Sequence, residues 1–288
     1  MLGTTDQSHE LVDFWNEILV PKFVEYRHVL VPGSTHHSAG VLPALNLRDG
    51  NRVLDIGCGF GDTAIALARL VAPSGFVTGL DCCDGFLDIA RADAVAAGVG
   101  NVSFIGADAQ SYAFEPQFDC VFSRFGTMFF ANPVAGLKNL RSALRPGGRM
   151  TMIVWRRLAD NAWARVPKET VLRFLPLPGD DGRNCGPGPF SMADRATVRR
   201  QLEIAGFEDI AFQRVDARIV VGRTAEEATN FELALGPAGE VFREAGEEAE
   251  RRRADIEAAM THRLAAFATE EGIVMPSSSW RISARKPV

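Results

Sequence analysis

Short runs of apolar residues alternate with amphipathic stretches through the middle of the chain. Five of the runs are typical of buried strands, and they cover residues 52–56, 75–80, 102–105, 118–122 and 149–155. The stretches between them predict helices over residues 62–71, 85–97 and 133–144. Strands that alternate with helices indicate a parallel sheet with helical crossovers. The pattern therefore predicts an α/β fold.

The alternation is interrupted at both ends of this region. Residues 1–48 have apolar positions at helical spacing and predict a helical cap in front of one domain, residues 49–288. The domain is expected to carry two insertions. The first, at about residues 156–190, is rich in proline, glycine and charge, which is typical of a surface loop or a lid; the second, at about residues 224–275, is helical. The rest predicts a helix with Ser191 as its N-cap and two strands, over residues 192–205, 210–221 and 280–284.

The composition is that of a folded globular protein. Of 288 residues, 47% are hydrophobic, and 36 acidic against 31 basic side chains give a net charge of −5. An acidic chain with scattered cations argues against a nucleic acid as partner and favours a small molecule. Without an apolar run of ~18 residues or a signal peptide, we expect a cytoplasmic protein with no membrane span. Five cysteines without a framework spacing predict free thiols, no disulfide and no metal site.

A glycine-rich turn follows the first predicted strand, in the stretch Val53-Leu54-Asp55-Ile56-Gly57-Cys58-Gly59-Phe60-Gly61-Asp62. Its spacing is G-x-G-x-G, whereas a nicotinamide-binding turn has G-x-G-x-x-G, and Asp62 stands at the position of the last glycine. Asp55 is unfavourable beside a pyrophosphate and suits a ligand that carries positive charge. The turn therefore predicts a cofactor with a cationic group, such as an amine or a sulfonium.

This stretch resembles motif I of the class I S-adenosylmethionine-dependent methyltransferases, an apolar run followed by D/E-x-G-x-G-x-G. The resemblance implies that Gly57, Gly59 and Gly61 bind the cofactor and that Asp55 holds its amino group, directly or through water. It also implies a Rossmann-like, doubly wound sheet of seven mostly parallel strands. A tight strand-to-helix turn without a ligand is the alternative interpretation of the same residues.

An aspartate, Asp81, ends the second predicted strand at the distance from the glycine turn that is typical of a ribose-binding carboxylate. An ionised carboxylate only accepts hydrogen bonds, so Asp81 can take both hydroxyls of a ribose. The resemblance assigns Asp81 the same role. It also places Cys82 and Phe86 against the adenine or the ribose. Together these residues predict an adenosine site.

The next two predicted strands end in residues that the family places around the adenine and the reacting methyl group. The resemblance implies that Asp108 accepts from the adenine amine and that the backbone of Ala109 donates. Ser123 begins a loop that should border both cofactor and acceptor, since open parallel sheets bind ligands at this switch point. The stretch Ser123-Arg124-Phe125-Gly126 is similar to the small-molecule branch near the quinone-biosynthesis methyltransferases, although the cap and the insertions differ from that pattern.

The resemblance implies methyl transfer to a small molecule, with S-adenosyl-L-homocysteine as the second product. Orientation and exclusion of water can supply most of the acceleration, because the cofactor is already activated. A general base is optional, and His28 and His37 in the predicted cap are the catalytic candidates. The acceptor is expected to contact apolar and aromatic side chains and one cation, namely Tyr26, Arg124, Phe125, Met128 and Trp155.

Other interpretations of the sequence stay open at this point. A protein of this fold can bind S-adenosylmethionine without catalysis, as a sensor or a partner protein. A nicotinamide oxidoreductase is a further rival, and NADH binding would reveal it. The adjacent Cys82 and Cys83 are compatible with thiol chemistry on a metalloid, although their positions in the cofactor-binding stretches fit packing better. The acceptor, the acceptor atom and the oligomeric state are not specified by the sequence.

Overall fold

The sheet at the centre of the fold has eight strands within residues 11–177 and 188–288, the ranges that this computed structural model describes. They are β1 (Arg52–Ile56), β2 (Phe76–Asp81), β3 (Val102–Gly106), β4 (Phe118–Arg124), β5 (Leu144–Trp155), β6 (Glu208–Gly222), β7 (Ala268–Thr269) and β8 (Gly272–Arg285). Their order is β3-β2-β1-β4-β5-β8-β6, and the short β7 pairs with β8. Strands β1 to β5 pair in parallel, and β8 lies antiparallel between β5 and β6. The predicted seven-stranded, mostly parallel sheet is confirmed, with β7 as an addition.

Helices connect the parallel strands and also precede and follow them. A π-helical turn, Trp15–Leu19, leads into α1 (Val20–Glu25). The other helices are α2 (Arg27–Ser38), α3 (Asp62–Val71), α4 (Asp84–Ala96), α5 (Pro133–Ala143), α6 (Ala162–Val171), α7 (Arg195–Ile204), α8 (Ala225–Ala234), α9 (Gly236–Glu244), α10 (Glu247–Arg251) and α11 (Arg253–Ala265). In the described ranges, no helix combines the length and the apolar character needed to cross a membrane.

Two apolar cores lie on opposite faces of the sheet, because successive side chains of a strand point to opposite sides. In β1, Val53 packs in one core with Leu67 of α3, whereas Leu54 packs in the other with Leu140 of α5. These four side chains are fully buried. Crossover helices on both faces explain why the parallel strands read as continuous apolar runs in the sequence. The arrangement is the predicted doubly wound fold.

The helices outside the crossovers extend the fold beyond one end of the sheet. Helix α2 packs against β6, which is the edge strand of the sheet, and this contact holds the N-terminal segment on the sheet. Helix α8 packs against both α9 and α11, and α9 and α11 also contact α6. The helical character predicted for both the N-terminal segment and the second insertion is confirmed. These helices surround the region described in the next section.

Several predicted boundaries are wrong. The predicted helix over residues 192–205 begins later, at Arg195, because the Asp194 side chain caps it by accepting from the Thr197 amide at 2.8 Å. Ser191, predicted as the cap, instead donates from its hydroxyl to the Met128 carbonyl at 2.6 Å. Strand β8 begins well before the predicted residue 280, and β5 begins before residue 149 with an irregular register.

The first predicted insertion contains a helix that its composition did not indicate. Helix α6 forms despite an internal Pro167, because Trp163, Val166 and Val171 on the helix are buried. Burial of this apolar face outweighs the local preference of the proline. Residues 178–187 of the same segment, with Cys185, lie outside the described ranges. Within those ranges, Cys58, Cys82, Cys83 and Cys120 have free thiols.

A glutamate lies fully buried among the helices of the second insertion. Glu232 on α8 has no exposed surface, and neither of its carboxyl oxygens has a hydrogen-bond partner in the described part of the chain. Burial raises the pKa of Glu232 well above its ordinary value of 4.5. A carboxyl group whose pKa is raised by folding binds its proton more tightly in the folded state. It therefore costs stability as the pH rises above 4.5 toward the folded-state pKa.

We expect Glu232→Leu to stabilise the protein, by about 1–3 kcal/mol at pH 8, because it replaces an unpartnered buried acid by an apolar group of similar size. The gain should be smaller at pH 5, where less of the unfolded-state glutamate is ionised. Thermal unfolding at both pH values measures the difference. Glu203→Leu, at an exposed position of α7, is the control and should show no such pH dependence. A lower melting temperature of Glu232→Leu at both pH values would contradict the prediction.

Candidate active site

A cavity of about 340 Å³ lies at the carboxyl ends of the parallel strands. The sheet side contributes residues after β1 to β4, including Gly57, Gly59, Asp81, Cys82, Asp108 and Arg124. The N-terminal segment and the insertion helices contribute mainly apolar side chains, including Phe14, Trp15, Phe23, Phe231, Leu235 and Pro237. One continuous cavity therefore joins the glycine-rich motif to segments at both ends of the chain.

The three motif glycines are required for two different reasons. Each has a left-handed φ, between +51° and +76°, which favours glycine. A Cβ on Gly57 would lie 2.9 Å from the Cα of Gly126, and one on Gly61 would lie 2.7 Å from the Cβ of Ala90. A Cβ on Gly59 would meet no atom within 4 Å, and Gly59 lines the cavity. Gly57 and Gly61 thus permit close packing, whereas Gly59 leaves space for a ligand.

The carboxylate of Asp81 is fixed at the cavity wall by two backbone amides. Oδ2 accepts from the Gly59 amide at 2.9 Å, and Oδ1 accepts from the Cys83 amide at 3.0 Å. Burial raises the pKa of Asp81, and the hydrogen bonds from these amides oppose that change. Each carboxylate oxygen has two lone pairs, so both retain accepting capacity toward the cavity. The group is oriented as a hydrogen-bond acceptor for a ligand.

Asp55 lies behind the cavity wall. Its Oδ2 accepts from the Thr63 hydroxyl at 2.6 Å, and Thr63 lines the cavity. Its Oδ1 has no partner in the described ranges. Burial raises the pKa of Asp55 to about 7, with the Thr63 hydrogen bond and the Arg124 charge acting in the opposite direction. Asp55 itself does not line the cavity, whereas its hydrogen-bond partner Thr63 does.

The other residues expected around the cofactor divide into two groups. Cys82, Phe86, Asp108 and Ala109 line the cavity, and Asp108 Oδ1 accepts from the Gln110 amide at 2.9 Å. Ser123 does not line it: its hydroxyl donates to the Ile56 carbonyl at 2.8 Å and so ties the end of β4 to the end of β1.

Arg124, expected to contact the acceptor, is already paired. Its guanidinium donates to both oxygens of Asp62, at 2.8 and 2.9 Å, and to the Ser38 hydroxyl at 3.2 Å. Asp62 begins α3 directly after the glycine turn, and both members of the pair line the cavity. The pair neutralises the positive charge that would attract an acidic acceptor and fixes the turn to the loop after β4.

The two histidines expected as bases lie outside the cavity. His28 is exposed and pairs with Glu227 at 2.8 Å. His37 is fully buried, and its Nε2 and Nδ1 are hydrogen-bonded with the hydroxyls of Ser277 and Ser279 at 2.8 and 2.9 Å, one nitrogen as donor and the other as acceptor. Burial lowers the pKa of His37 to about 4, so its ring is neutral at physiological pH. Their positions do not support a role for either residue as a base on a bound acceptor.

The aromatic residues expected at the acceptor form a stacked wall. The rings of Phe125 and Trp155 are nearly parallel with centroids 4.0 Å apart, and both line the cavity. Phe125 has a φ of +62°, which is unfavourable for a non-glycine residue and aims its ring at Trp155. The edge of His37 packs on Trp155 at 4.8 Å, and Met128 also lines the cavity. Tyr26 does not line the cavity; its ring packs against that of Phe231, with the centroids 5.5 Å apart.

Some residues of the wall were not predicted as site residues. Phe129 packs edge-on against Trp15 at 4.9 Å, and Phe23 packs 5.5 Å from the same ring. All three line the cavity, as does Phe231 of the insertion. For Phe231 on α8, the sequence pattern gave no signal, because only the fold brings the insertion to the sheet.

The comparisons with known proteins agree with this geometry. Residues 53–148 match a family described as a methyltransferase domain. The ubiquinone/menaquinone biosynthesis C-methyltransferase UbiE of Pseudomonas putida strain F1 is 31% identical over 183 residues, which cover 60% of this chain and 72% of that protein. UbiE of Pseudomonas aeruginosa strain LESB58 has the same identity and coverage.

Two solved structures share the fold. The structure of phosphoethanolamine N-methyltransferase 2 from Haemonchus contortus, with phosphomonomethylethanolamine and S-adenosylhomocysteine, has a TM-score of 0.59 and 19% identity, and the match covers 96% of this chain and 61% of that chain. The YcgJ protein of Bacillus subtilis has a TM-score of 0.57 and 17% identity, with 88% and 99% covered. The sequence relatives and the motif together establish the family. The chain belongs to the class I S-adenosylmethionine-dependent methyltransferases, and its enzymatic class is methyl transfer.

Proposed function

We propose that the cavity holds S-adenosylmethionine against the ends of β1 to β3 and a small, largely apolar acceptor between the Phe125–Trp155 wall and the insertion helices. The observation that carries this proposal is the continuity of one cavity from Asp81 to Trp155 and Phe231. Its sheet side offers fixed polar groups, and its other side is aromatic. Such a division is what transfer between a polar cofactor and an apolar acceptor requires.

The residues present fit the cofactor. The open space beside Gly59 accommodates a ligand that approaches the backbone closely, and the fixed Asp81 carboxylate retains lone pairs for two ribose hydroxyls. Phe86 and Cys82 supply apolar contacts to the adenosine, and Asp108 and the backbone of Ala109 are assigned to the adenine. When bound, S-adenosylmethionine supplies a methyl group that is already activated on a sulfonium.

The buried Asp55 is assigned an indirect role toward the positively charged end of this cofactor. It lies behind Thr63, at hydrogen-bonding distance from that hydroxyl, in a poorly solvated position where a bound cationic group would favour its ionised form. A water molecule or the Thr63 hydroxyl would carry the contact. The paired Arg124 and Asp62 add little net charge to this end of the cavity. Ser123 is assigned a structural role, since it holds β1 and β4 together.

The chain contributes orientation and exclusion of water to the reaction. The stacked Phe125 and Trp155 hold one face of the acceptor, and Trp15, Phe129 and Phe231 enclose it from the cap and the insertion. Because His28 and His37 lie outside the cavity, we assign the role of general base to neither residue. The acceptor class favoured by this arrangement is an aromatic hydroxyl compound that ionises in solution, in line with the quinone biosynthesis named for the UbiE relatives.

The first test is calorimetric titration of the protein with S-adenosylmethionine and S-adenosylhomocysteine, with NADH as control. Both adenosyl ligands should bind and NADH should not. A panel of phenols and hydroquinones, with carboxylic acids and alkyl amines for comparison, should then give S-adenosylhomocysteine with the aromatic hydroxyl class. Cofactor binding without turnover across the whole panel would contradict the assignment of the acceptor.

Asp81→Ala should weaken binding of S-adenosylhomocysteine by about 1–3 kcal/mol, because it removes charge-assisted hydrogen bonds to the ribose. Asp88→Ala on α4 is the control, since Asp88 is exposed and pairs with Arg91 on the surface. Calorimetry measures both affinities, and circular dichroism establishes that both variants are folded. An affinity of Asp81→Ala equal to that of the control would disprove the ribose site.

Gly59→Ala and Gly61→Ala form a matched pair, because both glycines have a left-handed φ and both variants incur about 1 kcal/mol of backbone strain. Gly59→Ala places its methyl group in the open cavity and should mainly weaken S-adenosylhomocysteine binding. Gly61→Ala collides with Ala90 and should cost a further 1–3 kcal/mol or so of folding stability. Chemical denaturation and calorimetry separate the two effects. Equal losses of stability and affinity in both variants would argue against a ligand beside Gly59.

A further inference from the structure

Three consecutive residues at the end of β2 place potential metal ligands together. One carboxylate oxygen of Asp81 and the thiol sulfurs of Cys82 and Cys83 all lie within 4.8 Å of one another. The two sulfurs are 3.8 Å apart and form no disulfide. All three residues line the cavity, so an ion that enters the cavity can reach them. Cys83 also packs in a small apolar cluster with Val20, Phe60 and Phe86.

The spacing is that of a soft-metal site. Zinc binds thiolate sulfur at about 2.3 Å in tetrahedral geometry, which puts two sulfur ligands about 3.8 Å apart. The observed separation of the Cys82 and Cys83 sulfurs is 3.8 Å. A carboxylate oxygen is an accepted third ligand, and the open cavity leaves room for water as the fourth. Thiolate ligands select soft or borderline ions such as Zn²⁺ and Cd²⁺ over Mg²⁺ and Ca²⁺.

The third ligand is held in place without the metal. The amides of Gly59 and Cys83 donate to the two oxygens of Asp81, and each oxygen retains a lone pair. The backbone therefore orients the carboxylate before an ion arrives, which reduces the entropy lost on binding. The same carboxylate is the proposed ribose acceptor. A metal on Asp81, Cys82 and Cys83 and an adenosyl cofactor would thus compete for one group.

We propose that Asp81, Cys82 and Cys83 form a binding site for a soft divalent cation, with Zn²⁺ or Cd²⁺ as the fitting ions, and that this ion and the cofactor exclude each other. Cation binding rests on the three side chains alone. The exclusion rests on the proposed function, since it requires the cofactor to use Asp81. Through this site, a thiophilic metal would inhibit the methyltransferase by displacing its cofactor.

The experiment uses the reduced 288-residue protein that carries Cys185→Ser, which is called the parent below. This substitution removes the cysteine outside the described ranges, so that it does not bind the probe. Cd²⁺ is titrated while the ultraviolet absorption of cadmium thiolate bonds is followed. The parent should bind one Cd²⁺ with this absorption. Cys83→Ser should bind at least about tenfold more weakly, and Cys120→Ser, which changes a buried thiol outside the cavity, should behave as the parent. Equal cadmium binding by the parent and Cys83→Ser would overturn the site.

The second arm measures S-adenosylhomocysteine affinity with and without Cd²⁺ or Zn²⁺. At a metal concentration ten times its dissociation constant, the apparent affinity of the parent should fall about tenfold. Cys83→Ser should keep its own metal-free affinity under the same conditions. Cadmium thiolate absorption with unchanged S-adenosylhomocysteine affinity would refute the exclusion. Absence of S-adenosylhomocysteine binding in metal-free parent would instead refute the proposed cofactor site, and the cadmium titration would still decide the metal site.

Discussion

The hydrogen bond from the Gly59 amide to the Asp81 carboxylate connects the turn after β1 to the end of β2, and much of the site depends on it. The turn can present this amide only because its backbone adopts left-handed conformations and passes within van der Waals contact of Gly126. The second amide, from Cys83, comes from the residue that precedes α4. Two strands and a helix therefore orient one carboxylate. The glycine turn and an aspartate 22 residues further along the chain therefore form a single structural unit.

The sheet and its crossovers were predictable because they follow from local physics. Parallel strands covered on both faces form short, mostly apolar runs, as at Val53 and Leu54, and this pattern is visible in a short window of sequence. The glycine turn was predictable for a similar reason, since its conformation requires a residue type at fixed spacing. Helix α6 was missed because its Pro167 signals a break locally, while the burial that stabilises the helix comes from residues far along the chain.

The roles of individual polar residues were less predictable, because partners distant in sequence determine them. Histidine is the usual candidate for a base near neutral pH, yet His37 is surrounded by Ser277, Ser279 and Trp155 and holds an aromatic wall in place. Arg124 is a natural anion site by residue type, but Asp62 already occupies its guanidinium. Glu232 gave no sequence signal at all, since only the packing of the insertion helices removes every partner. Residue chemistry indicates what a side chain can do, and tertiary contacts decide which of these options remains.

The two sides of the cavity come from different parts of the chain, and only one side lies in the region that matches the family. The matched family region, residues 53–148, supplies Gly59, Asp81 and Phe125 on the sheet side of the cavity. The opposite side comes from the N-terminal segment and from helices α8 and α9, which lie outside that region and pack against β6 and α6. Side chains such as Trp15 and Phe231 therefore line the cavity without belonging to the matched region. Because the two sides come from separate parts of the chain, the cap or the insertion can change one side of the cavity while the sheet keeps the other.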